Sequence, residues 1–205
     1  MIHEFRPALV LVALLTILTG LVAPLAMTGI ASVAFPFQAG GSLIEDHGKI
    51  VGSALIGQNF TGPGYFHPRP SATTEPDPKD ASKTVPVPYA ADNSNASNLA
   101  PTAKALIDRV KGDLASAGPA PVPADAVTTS ASGLDPDISP ENAERQIARV
   151  AGARHWPEDR IKALVAVYTA EPFLGFIGEP RVNVLALNRA LDRMQGQMQG
   201  QVQGR

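Results

Sequence analysis

Cysteine is absent from the 205 residues, which excludes disulfide frameworks, zinc sites with cysteine ligands, iron–sulfur clusters and thiol nucleophiles. Charge is scarce as well, because 18% of the residues are charged against roughly 25% in an average soluble domain. The formal net charge of −2 and the lack of a basic stripe exclude a nucleic-acid partner bound by phosphate neutralisation. Gly and Pro, at 18 and 19 residues, indicate many turns without the composition of a disordered chain.

The sequence also lacks the motifs of common enzyme classes. It contains no GxxxxGK[ST] phosphate loop, no GxGxxG, no HExxH and no GxSxG, and the DKTGT motif of P-type ATPases is absent. The histidines have no spacing typical of metal ligands, so we expect no metal site and no catalytic residue. They are His3, His47, His67 and His155. Ser130 and Ser132 would be the nucleophiles of an anchored hydrolase, but turn serines are far commoner.

What the sequence does contain is a long apolar run, with no charged side chain between Arg6 and Glu45. Residues 8–30 would form about 35 Å of helix, enough to cross a hydrocarbon core of roughly 30 Å. We therefore predict a transmembrane helix there, with residues 1–7 in the cytoplasm because the basic residue precedes it. A signal peptide cleaved after Ala34 is the alternative, although this run exceeds the roughly 7–15 apolar residues of a typical one.

The body of the chain, residues 31–194, mixes helical and extended patterns without βαβ regularity, which predicts a mixed α/β (α+β) extracytoplasmic domain. Residues 48–66 and 125–132 are typical of extended structure, and residues 182–185 of a short strand that runs into a helix. Residues 73–98 are rich in Pro, Asn and Ser, and we expect a long surface loop there.

Apolar spacing of the helical type predicts three further features of the body. Residues 102–117 should form an amphipathic helix. A second helix should begin at Ser139, a good N-cap, with Pro140 in its first turn, and a third should begin near Pro157. The Gln-Gly repeat at 195–205 has no core-forming pattern and is expected to be disordered.

Several segments in a fixed order follow the apolar helix, and together they carry a family resemblance. They are GSALIGQNF at 52–60, YFHPRPSA at 65–72, SNLAP at 97–101, VPADAVTTSASGLDPDISPENAERQIARVA at 122–151 and GEPRVNVLALNRAL at 178–191. The chain resembles the KdpC family, the C subunits of Kdp potassium-transporting ATPases. The resemblance extends from the apolar helix to about residue 194.

The resemblance implies a non-catalytic accessory subunit of a high-affinity, ATP-driven potassium-uptake complex in the bacterial inner membrane. Potassium would be the transported ion, and no covalently bound cofactor is expected. The implied partners are a channel-like potassium-binding subunit, a P-type ATPase catalytic subunit and a small single-helix subunit. The family has also been described as a catalytic chaperone that raises the ATP affinity of the ATPase subunit.

The family account implies candidate nucleotide contacts at Gln146, with Ser132 and Gly133 upstream. A body outside the cytoplasm would meet little ATP, and Gln146 follows Arg145 on a predicted helix. A surface or interface role for Gln146 is therefore the simpler interpretation, with ATP held by the catalytic subunit. Both interpretations remain open at this point.

Candidate contacts with partner proteins come from another set of residues. Gly20 would allow close approach of a second membrane helix. Tyr65, Phe66 and Arg69 could form a recognition patch beside a Pro-x-Pro turn, with a packed corner as the alternative, and Asp135 lies in a neighbouring turn motif. A different function, a free-standing anchored or secreted protein that binds a small ligand, would use the loop 73–98.

Overall fold

The computed structural model describes residues 2–118 and 121–203. It divides the chain into two compact units, Met1–Ser53 and Ala54–Arg205, which are described separately below. The sequence predicts that Gly118 and Pro119 end the helix over residues 102–117, and Pro119 lies outside the described residues.

The first unit is dominated by a helix that is long and apolar enough to cross a membrane. α1 (Ile2–Ile17) continues through a wider π-helical turn (Leu18–Val22) into α2 (Ala23–Ala34). Within residues 4–34, an 18-residue window has a mean hydropathy of 2.5, and none of its side chains is buried. The predicted helix is confirmed and is longer at both ends. A signal sequence near an N-terminus shares this length and composition.

The π-helical turn has a local cause in the sequence. Pro24 has no backbone N–H to donate to the carbonyl four residues earlier, and the Ala23 N–H bonds instead to the carbonyl of Leu18, five residues back. Thr19 Oγ1 donates to the Leu15 carbonyl at 2.7 Å, so this hydroxyl is satisfied within its own helix. The apolar helix therefore carries a wide turn at its centre without leaving that threonine unpaired.

The rest of the first unit is a short helix and a hairpin. α3 (Pro36–Ala39) precedes the antiparallel pair β1 (Leu43–Asp46) and β2 (Lys49–Ser53). His47 and Gly48, the two residues of the turn, both have positive φ, the conformation of tight hairpin turns. The prediction of extended structure over 48–66 is correct only to Ser53, after which turns and irregular chain follow.

In the second unit, the region predicted to be a long loop contains a hairpin. β3 (Thr74–Asp77) pairs with β4 (Asp80–Pro86), so the prediction for residues 73–98 is wrong over its first half. The turn between these strands is closed by the Asp77 carboxylate, which accepts the Lys79 N–H at 2.8 Å. This Asp-Pro turn chemistry, rather than alternation of apolar residues, sets the hairpin.

The core of the second unit lies between a small sheet and three helices. The sheet has the strand order β5-β7-β6, and all its pairs are antiparallel. Its strands are β5 (Asp137–Ile138), β6 (Thr169–Ala170) and β7 (Arg181–Asn183). The helices are α5 (Pro140–Arg154), α6 (Glu158–Tyr168) and α7 (Val184–Gln203). Their shared core is Phe66, Ile138, Ala143, Ile147, Val150, Ala151, Ile161, Val165, Val182, Val184, Leu187 and Leu191.

The helices begin close to the residues that the sequence predicts, whereas the strands agree less well with the predictions. Ser139 caps α5 by accepting the Asn142 N–H, and a proline occupies the first turn, as predicted. α6 begins at Glu158 with two acidic residues in its first turn, where the helix dipole favours them. α4 (Lys104–Ala117) matches the predicted helix within two residues.

Two further predictions for the second unit differ from the structure. Residues 125–132 form no strand: a 3₁₀ turn (Ala124–Ala126) is followed by bends, because the Ser and Thr side chains bond the nearby backbone. The tail was expected to be disordered, yet α7 continues through Gln203. Met and Gln are good helix formers, and the continuous helix outweighs a cost of about 1 kcal/mol for each glycine within it.

The core predicts a clear difference between two aliphatic truncations. Leu187 is fully buried on α7, so Leu187→Ala should lower the free energy of unfolding by about 2–5 kcal/mol. Val167→Ala, at a side chain 77% exposed, should change it by less than about 0.5 kcal/mol. Denaturant unfolding followed by the fluorescence of Trp156, the single tryptophan, measures both. Equal effects would contradict the packing described here.

Candidate functional site

An extended segment, residues 65–71, lies against α5 and α7 and contains three of the predicted interface residues. Phe66 is fully buried in the core. Its backbone N–H donates to Asn188 Oδ1 at 2.8 Å, and its carbonyl accepts from Asn188 Nδ2 at 2.9 Å. One buried carboxamide on α7 thus satisfies both backbone groups of a single residue, as a neighbouring strand would.

The next residue along the segment is held in the same way by α5. The His67 N–H donates to Gln146 Oε1 at 2.7 Å, and Gln146 Nε2 donates to the His67 carbonyl at 3.1 Å. The carboxamide of Gln146 also bonds Asn142 Oδ1 at 3.2 Å and accepts from Arg149 Nη2 at 2.6 Å. The donor and acceptor groups of Gln146 are therefore engaged within the protein.

Arg69 joins the segment to the turn that contains Asp135. The Arg69 Nη1 and Asp135 Oδ2 atoms are 2.8 Å apart, and both side chains are about three-quarters buried. The hydroxyl of Tyr89 donates to the Arg69 carbonyl at 2.9 Å, and burial raises the pKa of this phenol well above its ordinary range. Phe66 and Arg69 are thus parts of a packed corner.

Tyr65 lies at the end of a stack on the exposed edge of the segment. The guanidinium of Arg154 lies 4.9 Å from the centre of the Tyr65 ring and 5.7 Å from that of Trp156. Arg154 also pairs with Asp192 at 2.8 Å, and its side chain is 6% exposed. Asp192 accepts the Tyr65 hydroxyl at 3.1 Å. This stack joins the end of α5 to α7 through the segment.

Ser132 and Gly133 form a tight turn. The Ser130 and Ser132 hydroxyls accept the backbone N–H groups of Gly133 and Leu134, respectively. Gly133 has φ +69°, and a Cβ atom there would lie 2.6 Å from the Asn95 carbonyl oxygen, so only glycine fits. Both serines therefore serve turn geometry, which is the structural interpretation of them made from the sequence.

The three residues implied as nucleotide contacts are not brought into one pocket. Gln146 borders an open cleft of about 730 Å³ that His67, Arg69, Arg145 and Arg149 also line. Ser132 borders a second cavity of about 570 Å³, which Arg69 and Asp135 also line.

The chemistry of the larger cleft is cationic, but its guanidinium groups are engaged with protein atoms. Arg149 donates to the carbonyls of Pro63 and Tyr65, and Arg145 donates to the Ala117 carbonyl at 2.7 Å. Burial lowers the pKa of Arg149. Over residues 2–118 and 121–203, no group of three His, Asp or Glu side chains is placed to hold a metal ion.

Sequence reasoning found Gln146 but missed its counterpart, Asn188. Both are carboxamides on the inner face of a predicted helix, and that position is the signal that would have identified them. Asp125 was missed as well: its carboxylate accepts from the Ser139 N–H and hydroxyl and from Asn142 Nδ2. The remaining predicted interface residue, Gly20, has open space around the position of a Cβ atom.

Comparison with known proteins gives one consistent family. The chain matches the family model "KdpC: K+-transporting ATPase, c chain" over residues 5–193. It is 63% identical to the potassium-transporting ATPase KdpC subunit of Methylobacterium nodulans and 62% identical to that of Bradyrhizobium diazoefficiens. Each alignment covers 196 residues, 94% of this chain and 98% of the relative. The corresponding subunit of Rhodopseudomonas palustris is 62% identical over the same share of both chains.

The first prediction from the site concerns Gln146. Gln146→Met keeps a long side chain but leaves the His67 N–H and carbonyl without partners, which should cost about 1–3 kcal/mol of unfolding free energy. Ala148→Met places the same side chain on the exposed face of α5 and should leave stability within about 0.5 kcal/mol of the parent. Equal stability of the two variants by denaturant unfolding would contradict a structural role for Gln146.

The second concerns the pH dependence of stability. Burial is the main cause that lowers the pKa of His67 from 6.5. The unfolded chain therefore takes up a proton on His67 at higher pH than the folded chain does. The contribution of neutral His67 to the free energy of unfolding is complete above pH ~6.5, and it is lost as the pH falls through the pKa of the folded state. Between about pH 8 and pH 5, the denaturation midpoint of the parent should fall more steeply than that of His67→Gln. Parallel pH profiles for the two proteins would disprove this assignment.

Proposed function

Because the chain belongs to the KdpC family, the c chains of K⁺-transporting ATPases, we propose that it is a non-catalytic accessory subunit that stabilises an ATP-driven potassium-uptake complex. The observation that carries the proposal is the family match over residues 5–193, which includes the apolar helix as well as the second unit. An anchor and a body that match together favour a membrane-bound subunit over a free-standing protein that binds a small ligand.

The proposal places the chain in the bacterial inner membrane with a single span. Residues 1–7 would be cytoplasmic and the body extracytoplasmic, since Arg6 precedes the apolar helix and the acidic pair Glu45 and Asp46 follows it. The helix contains no charged group between Glu4 and Ala34 other than Arg6 at its start, so it has no side chain suited to strip water from an ion. We therefore assign it to packing against other subunits rather than to the ion path.

The partners in this proposal are a channel-like potassium-binding subunit, a P-type ATPase subunit that binds ATP, and a small single-helix subunit. A chaperone effect on the ATP affinity of the catalytic subunit would act through contacts between proteins. Two observations support this indirect route: the Gln146 carboxamide is engaged with His67, Asn142 and Arg149, and Ser132 lines a different cavity. ATP itself would be held by the catalytic subunit.

Deletion of this chain tests the accessory role. Without it, tagged catalytic subunit should no longer recover the other pump subunits from detergent extracts, because the complex loses a stabilising member. Expression of the full chain from a plasmid is the control and should restore recovery. An intact pump with full potassium-stimulated ATPase activity in the deletion strain would contradict the proposal. Migration of the chain as a free monomer beside such a pump would favour the ligand-binding alternative.

The role of the apolar helix yields a separate prediction. Gly20→Phe should reduce the amount of this chain recovered with the complex, because a large side chain blocks close approach of a second helix. Gly20→Ala, which keeps the side chain small, should be recovered at the parental level. Co-purification followed by quantitative immunoblotting measures both, and equal recovery of the two variants would remove Gly20 from the interface.

Threonines in the same helix should not affect ion selectivity. Thr19 already bonds the Leu15 carbonyl, and single hydroxyls cannot replace the hydration shell of an ion. We expect Thr16→Val, Thr19→Val and Thr28→Val to leave the preference for potassium over sodium unchanged in transport assays. A shifted preference in any of them would place the helix along the ion path.

A further inference from the structure

Among the described residues of the second unit, the largest group of neighbouring exposed apolar side chains lies at the tip of one tight hairpin. Residues 171–180, here called the apolar hairpin, connect β6 to β7. At its tip the exposed fractions are 67% for Phe173, 69% for Leu174, 76% for Phe176 and 50% for Ile177. Single exposed apolar residues are ordinary, but a contiguous group of four large ones at a projecting tip marks an interaction surface.

The apolar hairpin is held in shape by its own backbone. The Phe173 N–H donates to the Ile177 carbonyl at 3.0 Å, and the Ile177 N–H donates to the Phe173 carbonyl at 2.9 Å. The Gly175 N–H closes the turn onto the Pro172 carbonyl at 2.9 Å, with φ +80° at this glycine. Because the tip is ordered before it meets a partner, binding would cost little conformational entropy.

The base of the hairpin joins it firmly to the core. Thr169 pairs with Val182, which is fully buried, and Ala170 pairs with Arg181. Arg181 in turn contacts Asp137 on the far strand of the sheet, at 3.2 Å. The tip therefore has a fixed position relative to the helices of the second unit, as a docking element requires.

The charges on the apolar hairpin indicate whether its tip binds a lipid surface or a protein. An exposed glutamate precedes each proline at the base, in Glu171-Pro172 and Glu179-Pro180, and residues 171–180 contain no Lys or Arg. Anionic lipid headgroups attract basic segments and would repel these two carboxylates. The hairpin also lacks the Trp or Tyr side chains that are typical of membrane interfaces. A protein pocket with basic side chains at its rim complements both the tip and its acidic base.

We propose that the apolar hairpin inserts Phe173 and Phe176 into an apolar pocket on another subunit of the pump, with Lys or Arg at the rim of that pocket facing Glu171 and Glu179. This inference rests on the proposed function, since it requires the chain to be a pump subunit. Buried aromatic side chains at the centre of a contact and opposite charges at its edge are the arrangement that gives stable, specific docking.

Photocrosslinking in the assembled complex tests the proposal. A photoreactive phenylalanine analogue is placed at Phe176 of the full-length chain, which is produced together with the other subunits. We expect a covalent adduct with another pump subunit. The matched control is the same analogue at Leu55, a side chain 64% exposed in the same unit, which should give little adduct. Adducts with lipid alone, with a second copy of this chain, or with nothing would overturn the proposal.

Substitution provides the quantitative test. The double variant Phe173→Ser/Phe176→Ser should lower recovery with the complex at least ~10-fold under dilute conditions, whereas Leu55→Ser should match the parent. Unfolding followed by Trp156 fluorescence should be unchanged in both, because the tip lies outside the core. Glu171→Lys/Glu179→Lys should weaken recovery most at low salt, where repulsion from a basic rim is least screened.

The outcomes also separate this proposal from the one on which it rests. If the parental chain is not recovered with pump subunits at all, the accessory role fails. If the parent and the Phe173→Ser/Phe176→Ser variant are recovered equally, the accessory role stands and the hairpin proposal is wrong.

Discussion

The second unit depends on two carboxamides that hold consecutive residues of an extended segment between two helices. Asn188 on α7 satisfies both backbone groups of Phe66, and Gln146 on α5 does the same for His67. Phe66 can then be fully buried without leaving its peptide groups unpaired, a condition that buried backbone must meet. The two carboxamides thus hold the segment through its backbone groups, as a neighbouring strand would.

This constraint also determines the contacts of the predicted recognition residues within the second unit. Once the segment is fixed, Arg69 reaches Asp135, and Tyr65 stacks on Arg154. The exposed apolar side chains of this unit lie elsewhere, most densely on the apolar hairpin between β6 and β7. The second unit therefore combines a segment whose buried backbone groups are paired by side chains with a hairpin whose apolar tip is exposed.

Helices were predictable from the sequence because their signals are local. Ser139 with Pro140, and Pro157 with Glu158, mark starts that need no knowledge of the rest of the fold. The two- and three-residue strands of the small sheet give almost no alternation, and the hairpin β3–β4 depends on turn chemistry at Asp77 rather than on an apolar period. For the site, the sequence identified Gln146 and Arg69, but not that their partners are His67 and Asp135, because those contacts join residues far apart in the chain.

We propose that the body of this subunit lies outside the cytoplasm and acts through protein contacts rather than by holding ATP. Protease accessibility in sealed spheroplasts that contain the assembled pump tests it most directly. The account predicts that external protease degrades the chain beyond about residue 34 and leaves a small protected fragment that contains the apolar helix. A chain that stays intact until the spheroplasts are opened would place the body beside cytoplasmic ATP and contradict the account.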